Sequence, residues 1–171
     1  MDRGGSGEDV RKRREENLER LMRSFRASPD PMYQLRSPWL APCALGEAHT
    51  VGGSLQTVTL IYGSWDPDQP HIRVTTWRDL PGQDFTPDTP AALLTASPDA
   101  VTVDIDGHPT PATLTRLPPE TWLLRADPTP LHHLQASGHG PLGDLSFHPL
   151  TDLAPTLTTR PTSLPPHHPN P

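Results

Sequence analysis

The sequence predicts an α+β domain, with an N-terminal helix packed on an antiparallel β-sheet of about five strands and proline-rich connectors between elements. Three observations predict it. Apolar residues recur at helical spacing near the N-terminus, β-branched and aromatic residues alternate with polar ones from residue 54 onward, and 24 prolines interrupt the 171-residue chain. Leu, Ile, Val and Phe together number 34, about one residue in five. That is enough for one domain with disordered flanks and not for two.

The helix is expected over residues 8–27. Leu18, Leu21, Met22 and Phe25 fall at i, i+3, i+4 and i+7, with Val10 two turns earlier. Acidic residues occupy its first turn, and Ser28-Pro29-Asp30-Pro31 stops it, since a residue before proline is pushed out of the α region. Residues 1–7 are Gly-rich and read as disordered. Residues 29–53 read as an irregular connector. Its four prolines forbid a long regular element, while Tyr33 and Trp39 are expected to anchor it in the core.

The body reads as strands. Residues 54–62 place Val58, Leu60 and Tyr62 on one face, and residues 71–77 alternate Ile72 and Val74 with polar neighbours. These two should pair as an antiparallel hairpin. Residues 78–99 read as loop holding one short helix over 90–96, capped by Asp88 or Thr89. Residues 100–106 alternate again and run into Asp106-Gly107, a two-residue turn signal that pairs Ile105 with His108, Val103 with Thr110 and Val101 with Ala112. In that register Pro109 and Pro111 lack donors only where an N–H would point away from the partner. They bar a further strand on the outer side at that level. Further strands follow over 121–126, 131–136 and 145–148 at the short spacing of a meander. Residues 8–154 thus form the domain, and 155–171 read as a disordered, proline-rich tail.

Val-Asp-Ile-Asp-Gly-His-Pro-Thr-Pro at 103–111, then Trp122, with Asp30-Pro31-Met32-Tyr33 and Thr151-Asp152-Leu153, resembles small uncharacterised proteins of GC-rich bacteria. Those carry an Arg-rich N-terminal helix, a Val-Asp-Gly-x-Pro-x-Pro hairpin and a downstream tryptophan. The resemblance implies a fold and no catalytic chemistry.

Charge excludes some functions. The net charge is −6, but residues 1–28 carry +2 and residues 29–171 carry −8. An acidic body repels phosphate backbones, so no nucleic-acid binding is expected. The basic run Arg11-Lys12-Arg13-Arg14 is followed by Glu15-Glu16, which on a helix gives opposite charges at i,i+4 and a solvated face. Apolar runs of four residues or fewer exclude a transmembrane helix, and the charged first 25 residues lack the apolar stretch of a signal peptide. With one cysteine, Cys43, the expected location is the cytoplasm of a bacterium.

Candidate chemistry is thin. Adjacent His132 and His133 should face opposite sides of a strand, so at most one joins any site with His139 or His148. Cys43 has His49 six residues on but no third group to orient the pair, and reads as an inert thiol. Asp66 with Asp68, and Asp104 with Asp106, are explained by turns and a solvent face, and the glycines lack phosphate-loop spacing. No catalytic, cofactor or metal residue is assigned on this reading. The expected protein is small, soluble and non-enzymatic. It acts through a protein partner or self-association on its N-terminal helix. A metal- or thiol-dependent enzyme using His132, His148 or Cys43 is the alternative.

Overall fold

The computed structural model describes residues 5–28, 31–36, 44–64 and 69–151. Helix α1 spans Gly5–Ala27 and α2 spans Ala91–Thr95. The strands are β1 Tyr33–Arg36, β2 Ala44–Val51, β3 Ser54–Gly63, β4 His71–Arg78, β5 Asp99–Ile105, β6 His108–Leu117, β7 Thr121–Thr129, β8 His132–His139 and β9 Ser146–Pro149.

The expected α+β arrangement of a helix on about five strands is wrong. The protein is mostly β: all nine strands join one curled half-barrel sheet, in the order β1-β9-β5-β6-β7-β8-β4-β3-β2. The expectation failed first in the connector, which holds β1 and β2. Both lie at the outer ends of the sheet order, where short or interrupted strands are tolerated. Strand β2 departs from regular pairing twice, between Leu45 and Glu47 and between His49 and Thr50. It failed again in the pairing, because β5 and β9 run parallel, with Asp104 opposite Ser146 and Ile105 opposite Phe147.

The central hairpin follows the sequence. Asp106 and Gly107 take φ of 56° and 79°, as a type I′ turn requires, and Ile105, Val103 and Val101 face His108, Thr110 and Ala112. Pairing of β6 with β7 begins at Ala112 opposite Ala126, so Pro109 and Pro111 end that ladder as their missing donors dictate.

The core fills the concave face. Val58, Leu60, Tyr62, Ile72, Val74, Leu114, Trp122, Leu124, Leu134 and Phe147 are buried there, with Met32, Tyr33 and Leu35 brought over them by β1. Strand β1 pairs with β9 along one edge only. Across the mouth of the half-barrel its other edge meets side chains: Tyr33 N donates to Thr76 Oγ1 at 3.1 Å and Leu35 N to the Tyr62 hydroxyl at 2.8 Å. Two buried donors are thereby satisfied without a tenth strand. Helix α1 leans on β3 and β2, and Leu21, Met22 and Phe25 pack half-buried against the core. The anchor Tyr33 is buried as expected, whereas Trp39, Cys43 and the tail 155–171 lie outside the described residues.

Helix α2 starts from Pro90 with no side-chain cap, correcting the assignment of Asp88 or Thr89. Thr89 is engaged elsewhere, on the second face of the sheet.

Candidate functional site

Alternation puts a second set of residues on the convex face: Arg73, Thr75 and Trp77 of β4, Thr121, Leu123, Arg125 and Asp127 of β7, and His133, Gln135, Ser137 and His139 of β8. The segment between β4 and β5 crosses this face. Its Phe85 ring lies 5.8 Å from the Trp77 ring at a tilt of 55°, and α2 reaches β6. Ile61, Leu93 and Leu123, buried outside the main core, belong to this layer.

His133 is its most constrained group. Nδ1 lies 2.7 Å from Asp127 Oδ1 and Nε2 lies 2.9 Å from Asp79 Oδ2, while the ring stacks on Trp77, its cross-strand partner, at 5.1 Å. A neutral imidazole has one N–H, whereas two carboxylates ask for two. Partial burial works against a charged ring, but the hydrogen bonds to Asp127 and Asp79, reinforced by their charges, outweigh it and raise the pKa above the ordinary value. The ring thus clasps the β4–β5 segment, through Asp79, to the β7–β8 hairpin, through Asp127.

Beside the clasp runs a polar relay. Arg125 Nε donates to Gln135 Oε1 at 3.0 Å, Gln135 Nε2 donates to Thr89 Oγ1 at 2.9 Å, and Thr89 Oγ1 donates to the Pro87 carbonyl at 3.2 Å. Gln135 is 3 % exposed, so its amide orientation is fixed by partners on both ends. Where β6 and β7 part, the relay and the aromatic pair enclose an open recess of about 630 Å³. Trp77, Phe85 and Pro87 stand on one side, Pro111 and Thr113 on the other, and Arg125 faces it.

The residues singled out from sequence do not meet. His132 shares the core-side alternation of Leu134 and is 6 % exposed, with Nδ1 2.6 Å from Thr129 Oγ1. His148 alternates with core Phe147, so it faces the opposite side, and β5, β6 and β7 separate its strand from β8. Burial, then the charge of Arg36, pushes the His148 pKa down against the pull of Asp106. The expected split of His132 and His133 between faces holds. His139 stacks on His71 at 6.4 Å. Asp104 and Asp106 are exposed, and Asp66, Asp68 and Cys43 lie outside the described residues. Among the described residues no cluster of three or more His, Cys, Asp or Glu could hold a metal ion.

Sequence reasoning missed Asp79, Asp127, Arg125, Gln135, Trp77 and Phe85. The available signal was the polar alternation of three separate segments, which becomes a site only once β4, β8 and β7 are known to be neighbours. No protein-family model, curated protein or solved structure matches the chain.

Proposed function

We propose that this is a non-enzymatic binding protein that acts through a protein partner, with the N-terminal part of α1 as its contact surface. One observation carries the reading. Among the described residues, the side chains that α1 packs on the core are Leu21, Met22 and Phe25, all in its C-terminal half, while Asp9, Lys12, Arg13, Glu15 and Glu16 are exposed. A helix of 23 residues is about 34 Å long. The described side chains of its first half are exposed, and their mixed charges suit a partner of complementary pattern. The acidic body favours a protein over a nucleic acid, and no described helix is long and apolar enough to cross a membrane. The cytoplasm, where Cys43 stays reduced, is the compartment that fits this reading.

The test compares the full chain with Lys12→Glu/Arg13→Glu in pull-downs from cells of the source organism and in size-exclusion chromatography. A stoichiometric partner or a dimer with the native chain, lost in the variant at an unchanged melting temperature, supports the reading. Equal retention by both chains, or neither partner nor dimer, overturns it.

A further inference from the structure

The recess on the convex face is independent of α1, and its chemistry is specific. Its opening is written in the sequence: Pro111 cannot extend the β6–β7 ladder, and β7 has a register irregularity between Ala126 and Thr129. The recess lies where that pairing ends. A volume of about 630 Å³ is in the range of small-molecule sites.

Arg125 is the functional group. Its side chain is half-buried, and the bond from Nε to Gln135 is its only side-chain interaction among the described residues. A guanidinium has five N–H donors, so the two terminal nitrogens keep four for a guest. Gln135, buried and held by Thr89, fixes the fork before anything binds. That orientation lowers the entropy cost of binding. Asp127, the one acid among the described residues lining the recess, is itself hydrogen-bonded to His133. Trp77 and Phe85 add flat apolar surface to the same recess.

We propose that this recess binds a small aromatic carboxylate, the carboxylate taken side-on by the terminal nitrogens of Arg125 and the ring lying along Trp77 and Phe85. Planar, bidentate pairing is what a fixed guanidinium does best, and a lone aliphatic acid or a tetrahedral anion would leave the aromatic wall unused.

Benzoate is the probe, titrated into the ¹⁵N-labelled full chain, with acetate, benzamide and inorganic phosphate as comparisons. Saturable shifts at residues 77, 85, 113, 125 and 135 are expected with benzoate, and affinities at least about tenfold weaker with each comparison, the size of one lost charged hydrogen bond or ring contact. Arg125→Gln should weaken benzoate by at least about tenfold. Thr113→Trp, at an exposed position on β6, should fill the recess and abolish binding with the Arg125–Gln135–Thr89 relay intact. Should either variant fail to fold, the other gives the answer. No saturable shift with native protein, phosphate or acetate binding as tightly as benzoate, or benzoate affinity unchanged in a folded variant would overturn the proposal.

Discussion

The indole of Trp122 occupies the space where a side chain on Gly138, its partner across the β7–β8 pair, would lie. A Cβ there would come 2.7 Å from the indole Cε2 and 2.9 Å from the His71 carbonyl oxygen, so both the tryptophan and the β4 backbone exclude it. Glycine inside a strand usually weakens it, and here the loss is offset by a tryptophan that is 2 % exposed. Gly138→Ala should destabilise the protein by about 1–3 kcal/mol, as overpacking does, in urea unfolding monitored by circular dichroism. Trp122→Phe in the same chain should recover only part, because the His71 carbonyl remains.

The mouth of the half-barrel gives a second prediction. Tyr62→Phe removes the hydroxyl that accepts from Leu35 N and leaves a buried donor without its partner. The expected cost is about 1–3 kcal/mol. Hydrogen exchange at the Leu35 amide should accelerate more than at β7 or β8 amides, and a uniform acceleration would show that β1 does not open separately.

The clasp makes stability depend on pH. The folded pKa of His133 is raised above its ordinary 6.5, so its contribution is complete below that pH and is lost as pH rises through the folded value. Asp79 and Asp127 side chains are 55 % and 73 % exposed, which limits each pair to roughly 0–1 kcal/mol. The melting temperature should therefore fall slightly on going from pH 6 to pH 9, and His133→Gln should flatten that part of the profile. A profile identical in both proteins would count against the clasp.

Helix docking gives a fourth. Leu21 is half-buried against the core, so Leu21→Asp should cost about 1–3 kcal/mol from lost burial and a partly desolvated charge. Arg13→Glu, on the exposed part of α1, should leave the unfolding midpoint unchanged. A midpoint insensitive to Leu21→Asp would mean that the helix does not rest on the sheet in solution.

Local features were the legible part of the fold. Asp106-Gly107 set a turn and a register because φ preference acts within four residues, and Leu21, Met22 and Phe25 disclosed the packed stripe of α1. Pairings across the chain were not legible. Nothing near His71–Arg78 indicates that it sits beside His132–His139, nor that Ser146–Pro149 runs parallel to the strand ending at Ile105. Strands β1 and β2 were hidden by surrounding prolines, which exclude central strands but not edges. The site shared this fate: His133 and Asp79 are 54 residues apart, and only the sheet brings them to 2.9 Å.

The junction of β1 with β9 bears on how the chain folds. Strands β5 to β8 follow one another as neighbours, so short loops close them at little entropic cost, whereas Gln34 and Pro149, bonded across β1 and β9, are 115 residues apart. Leu150 N donating to Met32 O extends that distant junction. A contact of such separation forms after the consecutive hairpins have shortened the path between its ends. The β1–β9 junction is therefore expected to close last in refolding and to part first in unfolding. Substitutions at Gln34, which donates to the Pro149 carbonyl, should speed unfolding while leaving the refolding rate nearly unchanged.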